Sequence, residues 1–245
     1  MTVRMSRNIA VILKVRINST ELVEVLSEIL SFVAKPRPER RVVFTPNSEF
    51  LVAANGDETF RQLLNQSDLN VADGFGLIWL SKFLGQPLPE RISGADLVAK
   101  LLSIGNKEKW AVGIAGARRG EESEAEELIK RLEIRYPGLT AVNLDKPKLE
   151  IRDLRFEMVL ACQGMGKQER WIMKNRGKIK AAVFLGIGGG LDFLTGFTER
   201  APAKMRQLGL EWLWRGLQRP GHWKRVWNAV VVFPFLVLKE KVVSR

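Results

Sequence analysis

Ala181-Ala182-Val183-Phe184-Leu185-Gly186-Ile187, running into Gly188-Gly189-Gly190 and then Leu191-Asp192-Phe193, is the stretch that decides the fold. An apolar run without alternation describes a strand buried on both faces, and the glycines mark a tight turn into a helix. The same texture recurs upstream. Met158-Val159-Leu160-Ala161 is a buried strand, and so is Trp110-Ala111-Val112-Gly113-Ile114-Ala115, which leads into a second glycine-bearing turn, Gly116 to Gly120. Arg41-Val42-Val43-Phe44 and Leu69-Asn70-Val71 are shorter strands, closing at Thr45-Pro46-Asn47 and at Asp73-Gly74. Helical spacing fills the intervals: Glu49 to Leu64, Leu77 to Leu84, Leu97 to Ile104 and the acid-rich Glu121 to Leu132. Ile9 to Val15, broken by Lys14, reads as a first strand. Strands alternating with helices predict an α/β fold, a Rossmann-like parallel sheet with flanking helices.

After Gly196 the texture changes. Met205 to Leu217 is rich in helix formers, Trp and Arg. Pro220-Gly221 breaks it, and Ala229 to Leu238 is an apolar run interrupted by Pro234. The expected organisation is an α/β domain over 1–195 and a basic, Trp-rich helical appendage over 196–245. Bases outnumber acids ten to three from Gly196 onward, within a formal net charge of +12. Trp212, Trp214, Trp223 and Trp227 beside that charge suit an anionic membrane surface better than a nucleic acid. Even as a helix, the ten-residue apolar run spans roughly 15 Å, about half a bilayer core, so it lies on a membrane rather than crossing it. The N-terminal apolar run is too short for a signal peptide and lacks a small-residue cleavage site.

Cys162 is the only cysteine and His222 the only histidine. That excludes an intrachain disulfide, a cysteine zinc site and the usual Ser-His or Cys-His triad. A base in this chain is therefore expected to be a carboxylate. Ligands of parallel α/β sheets sit at the carboxyl ends of strands. That rule selects Thr45-Pro46-Asn47, Asp73-Gly74-Phe75-Gly76, Gly164 to Gln168, and Gly186 to Asp192. Asp73 is the candidate base for a sugar hydroxyl, although Asp-Gly alone is also an ordinary turn. Gly188 and Gly189 can offer backbone N–H groups to a diphosphate, or simply make the turn. Leu191 occupies the third-glycine position of the dinucleotide fingerprint, which weighs against the alternative reading, an NAD(P)-dependent Rossmann-type oxidoreductase. Tyr136, the only tyrosine, lies far from any glycine loop. Gln168-Glu169 is a helix-start signal or a sugar-binding pair, and Arg91 is a phosphate partner or a surface cation. No Asp-x-Asp pair and no Walker loop is present.

Taken together, these loops resemble the WecG/TagA/CpsF glycosyltransferase family. Thr45 to Phe50, Val71 to Gly76, Pro89 to Leu97 and Gly164 to Trp171 carry the likeness in family order. So do Gly186 to Asp192, Arg200-Ala201-Pro202 and Leu208 to Arg215. The resemblance implies an inverting transfer of an N-acetylmannosamine-type or related sugar from UDP to an undecaprenyl-diphosphate-linked N-acetylglucosamine. No cofactor or metal is implied. It makes Asp73 the general base, with Thr45 beside it, and places Asn47, Arg91 and Gln168 around the sugar and diphosphate. Asp192 falls at the nucleoside, and Arg215 and Arg225 at the lipid diphosphate. A peripheral enzyme on the cytoplasmic face of the plasma membrane is implied, and a homo-oligomer is compatible with it. Gly166 stands where the family usually has proline. The family's His-Gly-Tyr-Phe-like stretch is absent around Leu144 to Lys148, and His222 takes a basic position of the appendage.

Overall fold

The computed structural model describes residues 8–35, 40–146, 154–207, 211, 213–214 and 223–243. The chain opens with β1 (Ile9–Ile12) and β2 (Val15–Asn18), then α1 (Leu22–Ala34) and β3 (Arg41–Phe44). Helices α2 (Ser48–Gly56) and α3 (Glu58–Asn65) lead to β4 (Leu69–Asn70), and α4 (Phe75–Phe83) and α5 (Gly94–Glu108) lead to β5 (Ala111–Ala115). Next come α6 (Glu122–Arg135), β6 (Thr140–Asn143), β7 (Arg155–Ala161), α7 (Lys167–Asn175), β8 (Lys180–Gly186) and α8 (Gly190–Leu194). The C-terminal segment contributes α9 (Ala203–Gln207), α10 (Trp223–Trp227), a π-helical stretch at Asn228–Val232, and α11 (Phe233–Val243).

Strands β3 to β8 make one parallel sheet in the order β4-β3-β8-β7-β5-β6, as the apolar runs predict. Helices cover both faces. Val42, Phe44, Val159 and Phe184 point into one apolar layer with Leu51, Phe60 and Ile172. Val43, Met158, Leu160, Val183 and Leu185 point into the other with Ile29, Leu97, Leu101 and Leu128. This period-2 partition of unbroken apolar strands is what burial on both faces requires.

Register aligns the strand ends. Phe44 pairs with Asn70 on one side and Gly186 on the other, and Gly186 also pairs with Ala161. Four carboxyl ends therefore stand in a row. They are the ends that precede the four loops selected from sequence, although those loops span residues 45 to 192.

Two elements depart from the sequence reading. The single strand expected over Ile9 to Val15 is the start of an antiparallel hairpin outside the main sheet, with Leu13 and Lys14 as the turn, both at positive φ. A two-residue hairpin turn of this kind usually advertises itself with Asn-Gly or Asp-Gly. Here tertiary contacts hold it instead. The Leu13 N–H donates to Glu240 of α11, and Asn65 bonds Arg16 N–H and the Lys14 carbonyl. The helix expected over Glu49 to Leu64 is also two helices. Asp57 leaves helical geometry after Gly56 and caps α3, its Oδ1 accepting from the Phe60 N–H at 2.9 Å.

The C-terminal segment folds back onto the α/β body. Phe233 and Val237 of α11 are fully buried in the first apolar layer. Pro234 follows the π-helical stretch, a local widening that accommodates a residue with no N–H to give. On the outer side Trp223, Trp227, Phe235, Leu238 and Val242 are exposed. No described helix is long and apolar enough to cross a membrane.

Candidate active site

A pocket opens where the four carboxyl ends align. Thr45, Asn47, Asp73, Gln168, Gly188, Gly189 and Asp192 line it, joined from the C-terminal segment by Glu211, Trp214 and Arg225. Asp73 follows β4, and its carboxylate is oriented from two sides. The Gly94 N–H at the start of α5 donates to Oδ2 at 3.1 Å, and Arg91 Nε lies 3.5 Å from Oδ1. Gly94 is required by packing, because a Cβ there would meet Thr45 Oγ1 at 2.9 Å. Thr45 at the end of β3 directs its hydroxyl to the Gly186 carbonyl at 3.4 Å, tying two neighbouring strand ends together.

Asn47 caps α2. Its Oδ1 accepts from Glu49 and Phe50 N–H groups at 3.0 and 3.2 Å, so only its amide N–H groups remain to serve a ligand. Asp192, on α8, faces the guanidinium of Arg118 at 3.4 Å. Arg118 itself sits at positive φ in the turn after β5, an unfavourable conformation for a side-chain-bearing residue.

Three sequence expectations change on contact with the geometry. Arg91 is not a lining residue. Its guanidinium is shared between Asp73 and Glu211, with Glu211 Oε2 at 2.9 Å from Nη2, so it joins the candidate base to the C-terminal segment. Gln168 lines the pocket but is buried, and both ends of its amide are engaged: Oε1 accepts from the Gly188 N–H at 2.7 Å and Nε2 donates to Glu169 at 2.6 Å. The glycine turn thereby has one N–H fewer for a diphosphate than its sequence suggests. Gly190 N–H also bonds within the turn, to Ile187, which leaves Gly189 as the donor with no partner among the described residues. Arg215 and His222 lie outside the described residues.

Sequence reasoning placed Ser93, Gly94, Glu211 and Trp214 within the family-like motifs but gave none of them a place at the pocket. The Trp214 Nε1–H is buried at the pocket wall with no hydrogen-bond partner among the described residues, so this ring does not belong with the exposed rings of α10. A lone indole in a basic, Trp-rich stretch carries no local sign of which way it turns.

The C-terminal segment is fastened across the pocket by charge pairs. Arg200 grips Asp96 with both Nη atoms at 2.5 and 2.8 Å, which raises its already high pKa, first through that bond. Arg225 of α10 donates from Nε to Glu49 Oε2 at 2.7 Å. Arg225 is also among the residues that line the pocket.

Substituting Arg200 by Lys keeps the charge but loses the two-pronged geometry. Arg200→Lys is expected to lower thermal stability by a few °C and to raise protease sensitivity near residue 196. Unchanged melting and cleavage would show that the pair holds nothing.

Comparison with known proteins adds the following. The family model described as "Glycosyl transferase WecG/TagA/CpsF family" matches residues 10–245. The chain is 31% identical over 240 residues to the N-acetylglucosaminyldiphosphoundecaprenol N-acetyl-beta-D-mannosaminyltransferase of Staphylococcus aureus strain MW2, covering 94% of this chain and 92% of that protein. The protein of the same name from strain NCTC 8325 matches at 31% over 240 residues, with the same coverage.

Proposed function

The chain belongs to the WecG/TagA/CpsF glycosyltransferase family, and on that footing we propose that it moves an N-acetylmannosamine-type or related hexose from a UDP-sugar to an undecaprenyl-diphosphate-linked N-acetylglucosamine. The product is a precursor of a cell-surface polysaccharide or teichoic acid. The observation that carries this reading is the meeting of Asp73, Asn47, Gly189, Asp192 and Arg225 around one cavity, although they come from both ends of the chain.

In the proposed reaction an acceptor hydroxyl attacks the anomeric carbon of the donor sugar. Its proton passes to Asp73, the new C–O bond forms, and the bond to UDP breaks with inversion. Gly94 N–H and Arg91 hold the Asp73 carboxylate in place for this step. Gly189 N–H, the Asn47 amide and the Trp214 indole are the neutral donors for diphosphate and sugar oxygens, and Arg225 is a cation beside them. The reading needs no resident cofactor or metal. The oxidoreductase alternative is set aside: the Gly188 N–H that a dinucleotide turn would offer is held by Gln168.

A transfer assay with a panel of UDP-sugars and a short-chain lipid-diphosphate N-acetylglucosamine, with UDP release monitored, tests the proposal. Release with one N-acetylhexosamine donor, dependent on acceptor, is expected. No release with any donor would sink it.

The exposed rings of α10 and α11, with Lys224, Lys239 and Lys241 around them, support peripheral binding at the cytoplasmic membrane face. Trp79 and Phe83 of α4 are exposed too, and Lys241 lies over the Phe83 ring, so the surface continues onto the α/β body. Trp227→Ser combined with Phe235→Ser is expected to weaken co-sedimentation with anionic vesicles by about tenfold or more, from the lost apolar burial alone. Equal sedimentation would reject this surface.

A further inference from the structure

Glu169 is fully buried on the first turn of α7, touches no pocket surface, and has no part in the reaction proposed above. Its hydrogen bonds form a directed chain. Gly166 N–H donates to Glu169 Oε2 at 2.6 Å, Gln168 Nε2 donates to Glu169 Oε1 at 2.6 Å, and Gly188 N–H donates to Gln168 Oε1 at 2.7 Å. Both ends of the chain are backbone N–H groups, which can only donate. An amide supplies one acceptor and one donor, so the remaining member must accept twice and donate nothing. An ionised carboxylate meets that demand. A protonated carboxyl meets it poorly, because the oxygen that carries the proton accepts only weakly from the buried donor facing it, and a second amide turns an N–H against that donor. The backbone ends also settle which way the Gln168 amide points.

The chain joins the loop after β7 to the glycine turn after β8, over the end of β8 itself. A Cβ on Gly186 would lie 3.0 Å from Gln168 Nε2 and 3.3 Å from Glu169 Oε1, so the pair packs directly against that strand end. We propose that Glu169 is a positioning residue: by accepting from Gly166 and Gln168 together it holds the Gly188 turn in the form that walls the pocket, and protonation of this remote carboxyl releases that wall.

The surroundings make the switch act near neutrality. Burial raises the Glu169 carboxyl to about 7, opposed by the hydrogen bonds from Gln168 and Gly166 and by the charge of Arg170. Arg170 donates to the Gly166 carbonyl and pairs with Asp57 at the start of α3. From β7 and β8 the neighbours on this face are the apolar Val159, Ala161 and Phe184. The sign follows from linkage. A carboxyl raised from 4.5 to about 7 holds a proton in the folded chain that the unfolded chain has lost, so this group's contribution to stability falls as pH rises through that window. The ionised form that completes the chain is thus the less stable form of the fold.

This inference rests on the pocket being the donor site, but its first test does not. In [15N]glycine-labelled protein, the Gly166 and Gly188 amide shifts are expected to titrate together with a midpoint near 7, and to stay flat in Glu169→Gln. Shifts that do not move from about pH 5 to about pH 9 in the native chain would overturn it. The second test is UDP affinity by calorimetry. Glu169→Gln and Gln168→Glu each leave the chain with two donors or two acceptors opposed, and each is expected to weaken binding by about tenfold. The double exchange, Gln168→Glu with Glu169→Gln, restores one carboxylate and one amide in a closable order and is expected to recover binding to within about threefold. A double variant no better than the singles would refute the hydrogen-bond argument. Failure of the native chain to bind UDP would count against the donor reading alone, and the amide titration would still decide the clasp.

Discussion

Asp73→Asn is expected to lower kcat by about 10² to 10⁴, the usual contribution of a general base, while leaving UDP affinity within about threefold of native. The substitution is nearly isosteric. Its carbonyl can still accept from the Gly94 N–H, and the wall at Thr45 and Gly94 is untouched. What is lost, in the proposed reaction, is the capacity to take the acceptor's proton as the new glycosidic bond forms. A variant that binds UDP and turns over at the native rate would remove Asp73 from the chemistry. A variant that loses UDP binding as well would make it a structural or donor-binding group. Arg91 offers a control. Because it holds both Asp73 and Glu211, Arg91→Ala is expected to reduce turnover and also loosen the C-terminal segment, whereas Asp73→Asn leaves that segment's protease resistance unchanged.

Phe233→Ala is expected to destabilise the fold by about 3 to 5 kcal/mol, the range for emptying a buried aromatic site. Phe233 is fully buried among side chains of the α/β body, so the loss falls on the whole cooperative unit and not on a detached tail. The same substitution removes the anchor of α11, whose Glu240 accepts the Leu13 N–H at the hairpin turn. Chemical denaturation and UDP affinity measured together distinguish the outcomes. A midpoint shift with weaker UDP binding is expected. An unchanged midpoint would mean that this segment does not pack as described here, and would withdraw the pocket contribution of Arg225 with it.

The row of strand ends shows how much of this arrangement was readable in advance. Short unbroken apolar runs at Trp110, Met158 and Ala181, bounded by turn residues, read as strands covered on both faces, and the Pro, Asp or Gly after each strand marks a chain leaving the sheet. Thr45, Asn47, Asp73, Gly188, Gly189 and Asp192 were legible for that reason, since a parallel sheet puts all such exits at one edge. The hairpin turn was not legible, because Leu13 and Lys14 have no local preference for positive φ and take it under contacts from α3 and α11. The break at Asp57 was signalled by the residue itself, an Asp able to cap, but the apolar spacing across it continued and concealed it.

Local sequence determined the layer architecture and the edge of the sheet where the pocket opens, with the Asp73 loop among its exits, because burial pattern and turn chemistry are properties of neighbouring residues. Only the tertiary structure decided which polar groups are spent on one another. Gln168 and Gly188 are 20 residues apart, Arg91 and Glu211 are 120, and Arg225 and Glu49 are 176. A hydrogen bond or ion pair across such separations depends on where the strands place the side chains, and no local pattern encodes it.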